Sequence, residues 1–569
     1  MGLPALITAL VSATFAIASS SAASPAATVP PAPFLVLDPQ SFAPLLGADL
    51  AWAAAAVPLF EASDANLTTA YYFRWRSFRT HVHATAAADG AAGFPFVVTE
   101  FSPQVPWAGR DNTIPCAAGH HVREGRWLRD NASATSAGAV MDSYSLWWLS
   151  GLGDVRANYY NWLATSLLDR LEVAGDARFL ARVAQFLAPL QEYVLGFMTG
   201  ALPLNDNCQH WSAELDCIVS FPNCQGQEHN LAGGGCQPLV HAMMTSEAAA
   251  LARLCALLGN ATCAAQFAAQ EAAFRARTLR LWNPALLFFD TSNSTLAPKG
   301  ESFAGVRTLA SLTSPWYFGA VPPENASFFA ASWEAAFDPE GLGGAFGLRT
   351  AEKRSPAYSC WPKACCYWGG PVWPFESSKA ITAAVNVLQS AALAPQVPAL
   401  SRARLFGLLG DYTRMHLGGG AWAITNFTTG ERANYSLLNE SGLFLPGLGA
   451  SWIAEAGCGD DATWTDNPSG GYLYQHSTFV DLVLTAVCGL APRASGAAPS
   501  LTVAPLQPSD AALTWWAVDG ALVNGRAVCV FWDADGTRYG RGAGLRVFVD
   551  GVLAAHAATT QGPPLLVAL

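Results

Sequence analysis

Apolar residues recur at helical spacing along most of the chain. After Asn158 the pattern predicts a helix, a short turn at AGDA and a second helix, which Asp176 caps at its N-terminus. One face of the second helix is apolar and comprises Leu180, Val183, Phe186, Leu187, Leu190 and Val194. Two helices joined by so short a turn are expected to pack as an antiparallel hairpin.

The hairpin pattern returns further along the chain. Residues 247–282 again predict two helices, now separated by a turn at Gly259-Asn260. Other helices are predicted near Phe42, in TTAYYFRWRSFRTHVHATA, and at residues 374–389, 401–417, 444–456 and 477–488. A succession of helical hairpins predicts an all-α body that closes into a toroid.

The pattern changes near Ala491. The segments LTVAPLQ, RAVCVFWDADG and GLRVFVDGVLAAHA alternate or cluster β-forming residues between Asn-Gly and Asp-Gly turns. This alternation predicts a small C-terminal β-sandwich module at residues 495–569, following a helical domain at residues 34–490.

The first residues have the features of a secretory signal peptide. An apolar run precedes small residues, and Ala23 is the predicted cleavage point, so residues 1–23 would be removed. Because no basic residue precedes the apolar run, an uncleaved anchor is the alternative interpretation. Eight Asn-X-Ser/Thr sequons agree with secretion, at Asn66, Asn131, Asn260, Asn293, Asn325, Asn426, Asn434 and Asn439. We therefore expect a secreted glycoprotein, or one in the lumen of the secretory pathway, without stable membrane insertion after signal removal.

The 13 cysteines occur mostly in local groups, which predicts disulfides in an oxidising compartment. Cys255 and Cys263 flank the turn at Gly259-Asn260, so we expect a disulfide between them. A second group is expected to pair internally, in an order that the spacing does not assign, and consists of Cys208, Cys217, Cys224 and Cys236. The odd total leaves at least one thiol outside disulfides. Paired C-x-x-C motifs are absent from the sequence, so we expect no structural zinc. No H-E-x-x-H pattern accompanies the histidines, and we expect no other metal and no cofactor.

Composition and charge exclude several classes of partner. The 569 residues are 51% hydrophobic and 13% charged, which is typical of a packed globular protein. The formal net charge is -11 and basic runs are scarce, whereas nucleic acid and acidic membranes require a basic surface. We therefore expect neither nucleic acid nor an acidic membrane surface as a partner.

The most distinctive short segment is YWGGPVWPFESS, residues 367–378. Its Gly-Gly-Pro step predicts a tight loop, because glycine frees the backbone and proline restricts it. The loop would present the indole faces of Trp368 and Trp373 at the start of the following helix. Flat apolar faces of this kind suit a sugar ring.

Two glutamates are candidates for acid–base chemistry. Glu228 lies in the loop NCQGQEHNLAGGGCQP, between Cys224 and Cys236. Glu455 ends an apolar helix in LPGLGASWIAEAGCGDDATW, where the helix C-terminus disfavours a negative charge. Two carboxylates at one rim of a helical toroid would allow glycoside hydrolysis, one as general acid and one as general base. For each glutamate the alternative interpretation is a solvated surface carboxylate.

Several segments, taken in order, resemble one known family. They are GHHVREGRW, GQEHN followed by GGG, TSPWYFG, GAFGLRTAEKRSPAY, CCYWGGPVWPFESS, WIAEAG and YQHSTFVDLVLTAVCGLAPR. Their order resembles the mannosylglycerate-hydrolase-like domain related to glycoside hydrolase family 63, within the six-hairpin glycosidase superfamily, over residues 33–493. The resemblance implies an (α/α)6 barrel that hydrolyses an α-linked sugar with inversion of configuration.

The resemblance also implies roles for individual residues. Glu228 corresponds to the general acid and Glu455 to the general base. Glu124 stands where the family keeps a sugar-binding carboxylate. Further residues expected to line the sugar pocket are Arg110, His121, Trp368 and Trp373.

Alternatives remain open for the acid and for the function. The acid in the best-known relatives is more often aspartate, and the segment between Leu202 and Cys224 looks extended, so Asp216 is the alternative acid. The same barrel could also serve a non-catalytic carbohydrate-binding or cell-wall protein, or an inverting hydrolase of the trehalase or α-rhamnosidase type. The sequence predicts a carbohydrate partner and specifies neither the sugar, the linkage nor the oligomeric state.

Overall fold

The computed structural model describes most of the chain after the predicted signal peptide. The described residues are 34–85, 93–102, 104–105, 108–129, 140–153, 159–175, 177–199, 209–221, 226–227, 230–292, 305–344, 347–358, 368–370, 372–417, 423–426, 432–434, 462–464, 473–493 and 499–569. The predicted signal peptide and the predicted helix at residues 444–456 lie outside them.

The chain is helix-rich up to about residue 490. The helices of eight or more residues in the described ranges are α1 Ala65–Thr80, α2 Ala118–Gly125, α3 Val140–Trp147, α4 Leu163–Ala174, α5 Ala177–Gln185, α6 Leu187–Thr199, α7 Pro238–Leu257, α8 Ala261–Arg280, α9 Leu309–Tyr317, α10 Pro374–Gln389 and α11 Arg402–Leu417. Shorter α-helices are Ala43–Leu46, Leu50–Ala56, Ala326–Phe329, Glu334–Phe337 and Val480–Leu482, the last continued by a π-helical turn at Val483–Val487.

The strands are mostly short within the helical region and longer near the C-terminus. They are β1 Leu59–Ala62, β2 Val82–Ala84, β3 Phe96–Val98, β4 Phe101–Ser102, β5 Gln209–Ser212, β6 Cys217–Ser220, β7 Gly235–Cys236, β8 Trp282–Asn283, β9 Phe288–Phe289, β10 Gly343–Gly344, β11 Gly347–Leu348, β12 Ala423–Asn426, β13 Arg432–Asn434, β14 Ala462–Trp464, β15 Leu473–Tyr474, β16 Leu490–Arg493, β17 Ser500–Val503, β18 Trp515–Val523, β19 Arg526–Asp533, β20 Gly544–Val549, β21 Val552–Ala557 and β22 Leu565–Ala568.

Six helical elements contact one another in a sequence that returns to its start. α2 packs on α4, α4 on α7, α7 on α9, and α9 on α10. α10 contacts the short helix Val480–Leu482, which in turn contacts α2. Other helices pack outside this sequence of neighbours, as α8 does on α7 and α11 on α10.

The predicted hairpin within residues 247–282 is confirmed. α7 and α8 are joined through Gly259, whose φ of +74° is accessible to glycine at little cost. The Asn260 side chain accepts the N–H of Cys263 at 3.0 Å and so caps α8. The expected disulfide between Cys255 and Cys263 is present across this turn. By contrast, the single helix predicted after Asp176 is two helices, α5 and α6, which break at Phe186.

A second disulfide joins Cys217 to Cys236 and confirms one expected pairing within the second cysteine group. Cys208 and Cys224 lie outside the described residues. Cys488 and Cys529 are buried thiols. The bond ties β6 to β7, immediately before α7, and so fixes both ends of the segment that contains Glu228.

The C-terminal region is a separate sheet region, as the alternating pattern predicts. β18, β19, β20 and β21 form an antiparallel meander, and β16, β17 and β22 form a second sheet. The meander is completed by β1, in which Leu59 pairs opposite Asp519. The Asp519 carboxylate also accepts the N–H groups of Val36 at 2.6 Å and Leu37 at 3.0 Å. Residues near the N-terminus therefore hold the C-terminal sheet against the helical body.

Within the described ranges, the helices are all too short or too polar to cross a membrane.

Candidate active site

The loops that precede several of the contacting helices meet at one end of the helical body. Gly226, before α7, lies against Cys116 and Tyr159, which precede α2 and α4. The ring of His476, before Val480–Leu482, lies 5.8 Å from that of Trp373, before α10. Helix N-termini present unpaired N–H groups and a partial positive charge, which favour polar ligands. We therefore take this end of the body as the candidate active site.

Glu228 lies outside the described residues, but the residues beside it define the base of its loop. Gln227 and Asn230 are both buried. The N–H of Asn230 donates to the carbonyl of Gln227 at 3.1 Å, and Nδ2 of Asn230 donates to Oε1 of Gln227 at 2.5 Å. The residues that flank Glu228 and His229 are thus bound to each other.

A buried glutamate on α10 anchors this loop. Glu376 is 1% exposed, and its Oε1 accepts hydrogen bonds from Nε2 of Gln227 at 2.7 Å and from Nζ of Lys379 at 2.7 Å. Its Oε2 accepts from the hydroxyl of Thr313 on α9 at 2.8 Å. One carboxylate therefore joins the Gln227 loop, α9 and α10.

Lys379 is fully buried within an aromatic enclosure. Its Nζ lies 5.6 to 6.0 Å from the ring centroids of Trp162, Tyr317, Phe318 and Phe375. Burial lowers the pKa of Lys379, whereas the adjacent carboxylate of Glu376 opposes this effect. Aromatic faces attract a cation, so the rings and Glu376 together stabilise the charged form of the lysine.

Close packing of aromatic rings surrounds His120 at the same end. Gly119 on α2 lets the indole of Trp162 lie directly on the helix, since a Cβ there would overlap the ring. His120 packs edge-on against Trp162 at 5.2 Å and Phe375 at 4.5 Å. Its two ring nitrogens have no hydrogen-bond partner in the described part of the chain, and burial lowers its pKa well below the usual value.

Glu100 is a buried carboxylate at this end that sequence reasoning missed. Its Oε1 lies 3.6 Å from Nδ1 of His476, and its Oε2 lies 3.6 Å from Sγ of Cys116. The backbone N–H of Gln475 donates to the Glu100 carbonyl at 2.8 Å. Burial lowers the pKa of His476 well below its usual value, with Arg74 adding to the effect. The only sequence signal is a lone carboxylate in the mostly apolar segment FPFVVTEFS.

Trp368 and Trp373 stack on each other. Their ring centroids are 4.4 Å apart, their planes differ by 10°, and each residue is 3% exposed. Phe375 meets the edge of Trp368, and His476 lies beside Trp373. The two faces in mutual contact are therefore unavailable to a sugar. A sugar-binding role for either indole stays a prediction.

Arg110 is exposed and belongs to a turn with unusual backbone angles. Asp111 and Asn112 have φ values of 52° and 58°, in the left-handed region that side chains disfavour. The Asn112 side chain holds the turn, since it accepts the N–H of Val105 and donates to the carbonyl of Phe101, both at 2.9 Å. Asp and Asn adopt this region more readily than other side chains do. The sugar-binding role of Arg110 stays a prediction.

His121 is fully buried and uses both ring nitrogens. Nδ1 accepts from the hydroxyl of Tyr144 at 2.8 Å, and Nε2 donates to the carbonyl of Gln475. Burial lowers the pKa of His121 to about 3, so the ring is neutral at physiological pH. A sugar contact for His121 stays a prediction, and the bonds observed are those of a residue that joins two segments.

Glu124 is also fully buried, and its carboxylate caps the short helix Val480–Leu482. Its oxygens accept the N–H groups of Phe479, Val480 and Asp481 at 2.9 to 3.0 Å. The Nε of Arg74 lies 3.6 Å from Oε1. Burial raises the pKa of Glu124, although Arg74 and the backbone N–H groups oppose the shift. The predicted sugar contact stays a prediction, and the hydrogen bonds present are those of a helix cap.

A second ionic contact reinforces the same junction. The Asp481 carboxylate accepts hydrogen bonds from Nε of Arg126 at 2.8 Å, Nε of Arg123 at 3.1 Å and the indole N–H of Trp127 at 2.7 Å. The segments GHHVREGRW and YQHSTFVDL, both part of the family resemblance, are therefore direct partners in space.

Asp216, the alternative acid, lies in the turn between β5 and β6. Its side chain is 46% exposed and pairs with Arg277 at 2.9 Å and Arg280 at 2.8 Å. These arginines lower the pKa of Asp216, whereas a general acid requires a pKa raised toward the working pH. The geometry thus disfavours Asp216 as the acid. Glu455 lies outside the described residues, and its role stays a prediction.

Residues 211–440 match the model of the mannosylglycerate hydrolase MGH1-like glycoside hydrolase domain. The predicted family resemblance is confirmed over these residues, a shorter stretch than the predicted 33–493. The matched segment includes Gln227, the helices α7 to α11, and Glu376 with its partners Thr313 and Lys379. No curated protein sequence matches the chain.

One solved structure is similar to this chain over nearly its whole length, and the others are similar to a lesser degree. A sialidase structure shares 25% identity and a TM-score of 0.73, over 94% of this chain and 43% of its own length. The GH63 mannosylglycerate hydrolase from Thermus thermophilus in complex with glucose shares 12% identity and a TM-score of 0.39, over 64% of this chain and 94% of its own. The α-L-rhamnosidase from Aspergillus terreus shares 10% identity and a TM-score of 0.47, over 90% of this chain and 50% of its own. The family match and the sialidase likeness together support a glycosidase.

The Glu124 cap yields a prediction about stability. Glu124→Ala removes the acceptor for three buried N–H groups and leaves Arg74 without this carboxylate, so the free energy of unfolding should fall by about 3–5 kcal/mol. Chemical denaturation measures the change. The control is Glu271→Ala, which breaks a partly exposed helical pair with Arg275 and should cost about 0.5 kcal/mol or less. Equal losses in the two variants would contradict the cap.

The tryptophan stack yields a second prediction. Trp373→Ala should lower the free energy of unfolding by about 3–5 kcal/mol, because it removes a buried ring stacked on Trp368. Thermal or chemical unfolding tests this, with Phe328→Ala as control since Phe328 is 63% exposed. A stable Trp373→Ala protein with a raised KM for its substrate would instead show that the indole faces the sugar pocket.

Proposed function

We propose that this protein is a secreted glycoside hydrolase that cleaves an α-linked sugar with inversion of configuration. In this proposal Glu228 is the general acid and Glu455 the general base. The helical body is an (α/α)6 toroid, whose inner helices are α2, α4, α7, α9, α10 and the helix at Val480–Leu482. Two disulfides are compatible with secretion.

One observation carries the proposal. The hydrogen bond between Gln227 and Glu376 attaches the Glu228 loop to the first turn of α10, at the end where the contacting helices begin. The disulfide between Cys217 and Cys236 fixes the same segment from the other side. A general acid needs a fixed position relative to the glycosidic oxygen, because small displacements reduce the rate strongly.

The proposed reaction needs the two carboxyl groups in different protonation states. Protonated Glu228 gives its proton to the glycosidic oxygen as the bond to the anomeric carbon breaks. Ionised Glu455 removes a proton from a water molecule, whose oxygen attacks the anomeric carbon from the opposite face. Such enzymes hold the carboxyl groups roughly 6.5–9.5 Å apart so that the water fits between base and sugar.

A panel of aryl α-glycosides tests the proposal. Glu228→Gln and Glu455→Gln should each lower kcat by about 10²–10⁴-fold while sugar binding stays measurable, because each removes one proton transfer. Asp216→Asn is the matched control and should keep wild-type kcat, since its arginine-paired carboxylate is outside the proposed mechanism.

Three other results of these assays would change the assignment of the acid or of the function. Loss of activity in Asp216→Asn with full activity in Glu228→Gln would transfer the acid role to Asp216. Sugar binding without cleavage of any α-glycoside would favour the carbohydrate-binding alternative. Cleavage of trehalose or an aryl α-rhamnoside alone would place the protein with the trehalase or α-rhamnosidase type of inverting hydrolase.

A further inference from the structure

We propose that the buried pair Glu376–Lys379 holds the loop of the general acid in position and keeps the charge beside this loop balanced. The inference rests on the proposed function, because it assigns Glu376 and Lys379 as positioning residues that act through Glu228. Neither residue needs to touch the substrate.

The positioning part follows from the hydrogen bonds of Gln227. Its amide is held at both ends, since Nε2 donates to Glu376 and Oε1 accepts from Asn230. Asn230 also binds the Gln227 carbonyl through its backbone N–H and caps the next turn by accepting the N–H of Ala232 at 2.9 Å. Glu228 and His229 are the only residues between these two anchors. A change at Glu376 is therefore transmitted to the backbone on which Glu228 is carried.

The electrostatic part follows from the enclosure of the pair. Glu376 and Lys379 are 1% and 0% exposed, so solvent screens their charges poorly. Among the described residues, the other titratable groups facing Lys379 are His120, kept neutral by burial, and Tyr317, whose pKa burial raises. Arg123 approaches from beyond Tyr317, at 5.3 Å from its ring, and is paired with Asp481. Removal of one partner thus leaves an uncompensated charge close to Gln227, the residue that precedes Glu228.

The two single variants should move the pH profile in opposite directions. A general acid must be protonated, so its pKa sets the alkaline limb of kcat/KM. Glu376→Gln leaves the Lys379 cation, which lowers the pKa of the acid and should move this limb to lower pH by about one unit. Lys379→Met leaves the Glu376 anion and should move the limb to higher pH by a similar amount. A purely structural defect would reduce activity without these opposite shifts.

Two further variants separate charge from position. The double variant Glu376→Gln/Lys379→Met is neutral at this site, so the alkaline limb should return to its wild-type pH. Gln227→Leu keeps both charges but loses the anchoring hydrogen bond. It should lower kcat by about 10–100-fold, because the acid is displaced. KM and the alkaline limb should stay nearly unchanged, because the pKa of the acid is not altered. Gln227→Leu also serves if the charge variants fail to fold, since it does not unpair a buried ion.

The closing experiment measures kcat, KM and the pH profile of wild type, these four variants and Glu228→Gln on one aryl α-glycoside. Glu271→Gln is the control for loss of a glutamate charge elsewhere and should match wild type. The inference is supported if the alkaline limb moves in opposite directions in the two single charge variants. If those variants do not fold, the inference is supported by a lower kcat in Gln227→Leu. Shifts in the same direction, or wild-type kcat in Gln227→Leu, overturn it while Glu228→Gln remains inactive. Full activity of Glu228→Gln overturns the proposed function itself, and the inference with it.

Discussion

A carboxylate buried inside the protein must be given hydrogen-bond donors, and the helical body depends on how Glu124 meets this requirement. The donors are three backbone N–H groups at residues 479–481, more than 350 positions further along the chain. An unsatisfied buried charge costs several kcal/mol, so the arrangement couples α2 firmly to the late segment. The contacts of Asp481 with Arg123, Arg126 and Trp127 strengthen the same junction. This junction brings the sequence of helix contacts back to α2.

Glu376 is a second buried carboxylate that is supplied with hydrogen-bond donors, and it lies at the end that we assign to the active site. Its donors come from Gln227, Thr313 and Lys379, which belong to a loop and two different helices. Each buried carboxylate thus joins segments that are far apart in the sequence. The consequence for the proposed function is that side chains outside the loop of Glu228 hold the residues on either side of it. Rigid support of this kind is what general acid catalysis requires.

The sequence predicts features that local pattern determines. The α7–α8 hairpin and its Cys255–Cys263 disulfide follow from helical periodicity and a short Gly-Asn turn, and the C-terminal sheet follows from alternation. The participation of β1 in that sheet could not be predicted, because its partner β18 lies about 450 residues away and pairing leaves no local signal. The same limit applies to Trp368 and Trp373. The sequence of their loop is as compatible with exposed indole faces as with the stack that the structure shows. Glu376 lay within the most distinctive motif, yet only the tertiary fold reveals that it binds Gln227.

The account requires a glycosidase in which acid and base act on opposite faces of an α-linked sugar. Proton NMR of the first turnover products tests this most directly, on any α-glycoside that the wild-type protein cleaves, before the released sugar equilibrates. The account predicts that the β-anomer appears first, because water attacks opposite to the bond that breaks. Initial release of the α-anomer would show retention of configuration and would contradict the assignment of Glu228 and Glu455 as an inverting pair.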